Sequence, residues 1–236
     1  MTATELREAL KRKRNPEKGS ILQGFFKTGP GQYGEGDIFW GLSVPETRAI
    51  AAKYHKMPLS EIELLLIDPV HEVRLAAGIL MVNLFKKGSM AEKQACYDFY
   101  IANATRFNNW DLVDLTCHHI VGGWLKDKDR KPLYDLAASC NLWEQRISII
   151  STYTFIRNHD FDDCIELSKQ LLHHKHDLIQ KAVGWMLREM GKRNFLVETE
   201  FLLENDRYKT MPRTMLRYAI EKYPENQRQA FLKGEM

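Results

Sequence analysis

The chain has 236 residues, of which 44% are hydrophobic and 28% charged, with a formal net charge of +3 and a pI near 8.6. This is the composition of an ordinary globular protein with enough chain to bury a substantial core, and the absence of any run of about 18 apolar residues excludes a transmembrane helix. The mild basic bias permits a nucleic-acid partner without demanding one, so the distribution of charge has to decide.

Taken from the N-terminus, MTATELREALKRKRNPEK predicts a charged amphipathic helix. It lacks an apolar h-region and a small-residue cleavage site, so secretion is not expected. KRKR, Lys11 to Arg14, is read as the solvated face of that helix. GPGQYG, Gly29 to Gly34, satisfies the letters of GxGxxG, but the dinucleotide fingerprint requires a strand before it and a helix after it within a βαβ unit. No strand pattern precedes it, and the segment is read as a loop.

Beyond this loop, apolar residues recur at helical spacing in segment after segment and alternating strand patterns are absent, which predicts an all-α protein. Cys96, Cys117, Cys140 and Cys164 stand 20 or more residues apart. That spacing offers neither a CxxC metal pair nor a disulfide framework, and reduced thiols in a cytoplasmic protein are expected. His118 and His119 point in different directions on one helix, while His173, His174 and His176 fall in a connecting stretch without a second ligand cluster. They are read as surface or packing residues, and no metal or other cofactor is expected.

A weak internal repeat organises the helices. VHEVRLAAGILMV, WDLVDLTCHHIV, LWEQRISIISTY, DLIQKAVGWML and MPRTMLRYAI stack so that Arg74, Asp114, Arg146, Lys181 and Thr214 share a column, with steps of 40, 32, 35 and 33 residues. MAEKQACYDFYIANA and DFDDCIELSKQLL supply intervening helices. Periods of this size with a helix pair per unit predict an α-solenoid of HEAT-like pairs, a single domain curved into a superhelix. The shared column is polar, which suits either a solvated rim or a basic concave groove.

NNWDLVD, from Asn108 to Asp114, opens one of these helices. Asn108 or Asn109 can cap it, and Asp111 in the first turn complements the helix dipole, a role whose loss should cost well under about 1 kcal/mol. Asp114 has no such explanation. It lies four residues after Trp110 and so shares its face, which the repeat column sets beside Arg146 and Lys181. Trp185 stands four residues beyond Lys181. The alternative reading is that both tryptophans are packing residues and that Asp114 pairs with Arg146.

NNWDLVD, LWEQRISIISTYTFIR, DLIQKAVGWMLREMGKR and MPRTMLRYAIEKYP together resemble the DNA alkylation repair family of HEAT-like-repeat alkylpurine DNA glycosylases. The resemblance runs through most of the chain, with the segments in the family's order. It implies a monomeric, cofactor-free hydrolase that cleaves N3- and N7-alkylpurines from double-stranded DNA without enclosing the base. It sets the family's tryptophan and aspartate on Trp110 and Asp114, its arginine on Arg146 and its second tryptophan on Trp185. Arg146, Lys181 and Arg188 are expected at phosphates. Where the family can place a tyrosine at the DNA, this chain has Phe25, beside the insertion-like GPGQYGEGDIFWG. A non-catalytic DNA-binding solenoid would lose the carboxylate or a tryptophan, and a protein-binding scaffold would have an apolar or acidic groove.

Overall fold

The helix boundaries follow from their caps. Thr2, Ser43 and Ser89 each precede a helix whose third residue is a glutamate, Glu5, Glu46 and Glu92, and in all three the cap hydroxyl accepts from that residue's amide while the glutamate accepts from the cap amide. The exchange satisfies two of the donors that a helix start leaves open. Asn15, Asn141 and Asn194 cap three further helices through their side-chain carbonyls. His176 does the same through its ring, Nδ1 accepting from the Leu178 amide at 3.2 Å.

The computed structural model describes Met1–Met236. It is all-α, and its only β pairing is an isolated bridge between Ile38 and Val70. The chain divides into two units, Met1–Ile120 and Val121–Met236. The first holds α1 (Ala3–Lys11), α2 (Pro16–Phe25), α3 (Val44–Ala51), α4 (Leu59–Leu66), α5 (His71–Lys87) and α6 (Met90–Ala102), and the boundary falls within α7 (Trp110–Leu125). The second holds α8 (Lys131–Ala138), α9 (Leu142–Ser151), α10 (Tyr153–Ile156), α11 (Asp162–Gln170), α12 (Asp177–Gly191), α13 (Phe195–Leu203), α14 (Arg207–Thr210), α15 (Arg213–Ala219) and α16 (Glu225–Lys233). The N-terminal segment is thus two helices rather than one, broken before the Asn15 cap; Lys11 to Arg14 are exposed as expected, but only Lys11 lies in α1, the rest following its end.

The five aligned segments fall on α5, α7, α9, α12 and α15, each following a helix in the chain. In the first unit α5 packs on α4 and α6. In the second, α9 packs on α8, and α12 packs on α9, α11, α13 and α15. This is the paired-helix array of an α-solenoid. Leu6, Leu10, Val73 and Phe107 are fully buried in the first unit, as are Ile147, Val183, Met186 and Met215 in the second. The α12–α15 contact depends on Gly184, where a Cβ would lie 2.4 Å from the Met215 carbonyl oxygen.

The reading of the polar column as rim or groove is overturned at two positions. Arg74 and Arg146 are each only 5% exposed, because each guanidinium has protein partners described below. No disulfide joins the cysteines; Cys96, Cys117 and Cys164 are buried and Cys140 is exposed. Burial pushes the thiols of Cys96 and Cys164 up to about 12. No helix is long and apolar enough to cross a membrane.

Candidate active site

Trp110 begins α7, directly after a fully buried Asn109 whose Oδ1 accepts from the Trp110 amide at 2.8 Å. Three neighbours from earlier in the chain fix the half-buried indole. Phe26 stacks on it, with ring centroids 5.0 Å apart. Phe25 meets it edge-on at 5.9 Å, and its Nε1–H donates to the Tyr33 hydroxyl at 3.2 Å. Offset and edge-on rings with a satisfied indole N–H make a rigid platform.

The loop that supplies Tyr33 is itself anchored. Ile38 donates to the Pro69 carbonyl and accepts from the His71 amide, and the buried Glu72 carboxylate takes the amides of Trp40, Gly41 and Leu42 at 3.0, 2.7 and 3.1 Å. Gly41 is required there: its φ is +86°, and a Cβ would lie 2.2 Å from the Asn15 carbonyl oxygen. The insertion-like segment is therefore a structural part of the site. Phe25, 63% exposed, stands in it together with the tyrosine that the loop contributes.

Behind the platform lies a buried ionic network. His71 Nε2 is 2.8 Å from Asp111 Oδ2, and its Nδ1 is 3.4 Å from Asp37 Oδ2. Asp37 also receives Arg74 Nη2 at 2.6 Å and Asn109 Nδ2 at 3.4 Å. Arg74 Nη1 donates to the Asp68 carbonyl at 2.8 Å. Burial opposes a charge on His71, but attraction to Asp111 and hydrogen bonds to Asp111 and Asp37 outweigh it, raising its pKa from 6.5 to about 9. Asp37 is held below the usual carboxylate range: burial works against this, and the His71 hydrogen bond and Arg74 prevail.

Asp111 keeps its expected place in the first turn of α7, but it is more than a dipole acid. It is 7% exposed and paired with an imidazolium, and the sequence missed the pair because its partner lies 40 residues away. Arg74 likewise belongs to this network rather than to a groove. Asp114, one turn beyond Trp110, is half-buried.

In the second unit, Arg146 donates from Nη1 to the Leu178 carbonyl, tying α9 to α12. Lys181, on α12, bonds Asp177 at 2.8 Å. Trp185 is half-buried, gives its Nε1–H to Glu189 at 3.2 Å and lies 6.3 Å from the Tyr153 ring. Arg188 pairs with Glu221. Sequence thus expected phosphate contacts from two arginines that the fold already engages.

The first unit also contains a cavity of about 400 Å³ beside the Trp110 platform, lined by Ile21, Leu22, Phe25, Phe26, Phe39, Leu42, Val44 and Leu75, with His71, Glu72 and Asp111 among its polar members and Lys18 and Ser43 at exposed positions. No sequence signal pointed to it.

A family model described as DNA alkylation repair enzyme matches residues 6–223. The chain belongs to the DNA alkylation repair family. Among solved structures, one titled "Predicted DNA alkylation repair enzyme from Enterococcus faecalis" superimposes with a TM-score of 0.69 at 20% identity, covering 90% of this chain and 97% of that one. That likeness supports the shared fold. No match was found among curated proteins. Around Trp110 in this DNA alkylation repair chain, Phe26, Tyr33, Asp37 and His71 are neighbours that sequence reasoning did not single out, and Phe25 was the one it did.

Proposed function

We propose that this chain is a DNA glycosylase that hydrolyses the N-glycosidic bond of positively charged N3- and N7-alkylpurines in duplex DNA. The observation that carries the reading is the pairing of Trp110 and Asp114 one turn apart on α7, with the indole held from three sides. Family membership gives the repair context.

An alkylated purine already carries positive charge and leaves without protonation, so the protein need not supply a general acid or enclose the base. Departure of the base builds oxocarbenium character on the deoxyribose. A carboxylate about 4 Å from that cation contributes on the order of 4 kcal/mol at an effective dielectric near 20, before desolvation. Asp114 is assigned this role, with positioning of the attacking water as a second use of the same oxygens. The faces of Trp110 and Trp185 are assigned to the sugar and backbone of the lesion, where cation–π attraction adds to the stabilisation.

Lys181 is assigned to phosphate. Arg188 joins it by exchanging Glu221 for a phosphate, and Arg146, buried and tied to Leu178, is assigned as a fixed positive charge. The enzyme is proposed to act as a cytoplasmic monomer on double-stranded DNA. The test is incubation of the purified protein with duplex containing N7-methylguanine, with free base and abasic sites as the readout. Asp114→Asn should slow excision by about two to three orders of magnitude, the scale of one lost preorganised electrostatic contact. Wild-type protein that releases no base, or an Asp114→Asn variant as active as wild type, would remove the proposal.

A further inference from the structure

His118 and His119, adjacent on α7, bring their rings to within 3.8 Å of one another at 43°. Both line a cleft that α3, α5 and α7 form within the first unit, to which α3 adds Arg48 and α5 adds Asn83 and Lys86. Lys86 Nζ is 3.2 Å from His119 Nε2. An ammonium has donors only, so the ring nitrogen accepts. The charge of this cleft is one-sided. No carboxylate lines it, whereas Glu72 and Asp111 line the cavity beside Trp110, and Glu200 and Glu204 line a hollow at α13.

Arg48 and Lys86 are exposed, and Ile79, Val82 and Leu115 supply an apolar part of the wall. Cations gathered against a low-dielectric wall repel one another and focus their field, so an anion is drawn there more strongly than to cations scattered over a surface. Size narrows the anion. About 230 Å³ falls below the range of about 300–1,000 Å³ for small-molecule sites, so a single phosphate with its water fits better than a whole nucleotide. Guanidinium, ammonium, carboxamide and imidazole are all donors suited to phosphate oxygens. His118 lies four residues beyond Asp114 on α7 and so shares its face, about 6 Å further along the helix.

We propose that Arg48, Lys86, His118 and His119 form a subsite for one backbone phosphate of the DNA. A duplex strand offers a phosphate about every 3.4 Å of rise, so the one that fills the cleft stands within about two nucleotides of the residue facing Asp114. That distance rests on the glycosylase reading above; the subsite itself requires only a DNA strand. Holding a phosphate and no base edge, it strengthens binding to every sequence alike and sets the register of the strand against Asp114.

The experiment follows binding of the full chain to one duplex by fluorescence anisotropy, from about 50 mM to about 200 mM salt. The double variant Arg48→Gln/Lys86→Gln, altered at two exposed side chains, should bind about tenfold or more weakly at the low-salt end, the scale of lost hydrogen bonds to a charged group. Its plot of log affinity against log salt should be shallower by about one, the share of one phosphate. The control, Lys131→Gln/Lys169→Gln, loses the same charge from exposed pairs with Asp135 and Glu166 and should keep the wild-type slope. Equal slopes for wild type and Arg48→Gln/Lys86→Gln, or an equal change in the control, overturn the subsite. Calorimetric titration with inorganic phosphate tests the other source of the same anion. Heat that disappears in Arg48→Gln/Lys86→Gln while the DNA slope stays unchanged would assign the cleft to free phosphate and overturn the DNA contact. Release of base from N7-methylguanine duplex, measured on the same wild-type protein, keeps the two readings apart. A shallower slope in the variant with no base released by wild type leaves the subsite standing and removes the glycosylase reading, whereas base release with equal slopes does the reverse.

Discussion

Asp111→Asn is the most informative single change for the first unit, because it keeps the shape and the acceptor for His71 Nε2 while deleting the charge. The imidazole pKa stands at about 9 against 6.5 for an ordinary histidine. At about 1.4 kcal/mol per pKa unit, this gap is worth about 3 kcal/mol of folding stability. The value falls within reach of the roughly 3–5 kcal/mol lost when a buried ion pair is broken by removing one partner.

A raised folded-state pKa fixes the sign. The contribution is complete below pH 6.5, where His71 is protonated in both folded and unfolded chains, and it fades as pH rises towards about 9. Around the ring, Asp111 and Asp37 favour the cation and Arg74 opposes it, so removing Asp111 leaves His71 between one carboxylate and one guanidinium. Urea unfolding at pH 6 should show the variant's midpoint lower by about 1 M, for an m-value of about 3 kcal/mol/M. The wild-type advantage should shrink steadily by pH 9.5. An equal midpoint at pH 6, or a deficit that stays constant across this range, would refute the assignment of an ionised pair.

Three further outcomes are expected. Glu198, 2% exposed and pushed up to about 9 by burial against the opposing effects of Tyr223 and Arg188, destabilises the fold increasingly as pH rises from 4.5 towards 9. Thermal melts should therefore show Glu198→Gln gaining on wild type between pH 5 and pH 9, and parallel curves would contradict this. Gly184→Ala forces a Cβ to 2.4 Å from the Met215 carbonyl and should cost about 1–3 kcal/mol in chemical denaturation; an unchanged midpoint would show that α12 and α15 can separate freely. DNA affinity, followed by fluorescence anisotropy, should depend little on sequence and fall steeply with added salt, as phosphate contacts require, and binding that holds its strength at high salt would count against the phosphate assignments.

The helical class, the pairing of helices and the positions of the repeating segments were legible because they depend on local periodicity and caps, both of which are written within a few residues. That Trp110 and Asp114 lie on one helix, a turn apart, was legible for the same reason. The pairing of Asp111 with His71 was missed because nothing within its own helix distinguishes a dipole acid from the partner of a distant histidine, and the loop carrying Tyr33 and Asp37 has no periodicity to place it. Arg74 and Arg146 show the converse limit: a shared column identifies equivalent positions, but whether a guanidinium faces water depends on carboxylates and carbonyls far along the chain. The cavity has no sequence signature, since its walls are the same aliphatic and aromatic residues that elsewhere fill the core.

The buried thiols bear on the surroundings in which a DNA alkylation repair protein works. Electrophiles that modify purines also attack thiolates, and the reactive fraction of a cysteine is set by its ionisation and access. With their thiols held at about 12 and no exposed surface, Cys96 and Cys164 present almost no nucleophile at neutral pH, and burial shields Cys117 from direct encounter. Among the four thiols, that leaves Cys140, on the surface between α8 and α9, as the one open to direct attack by such agents.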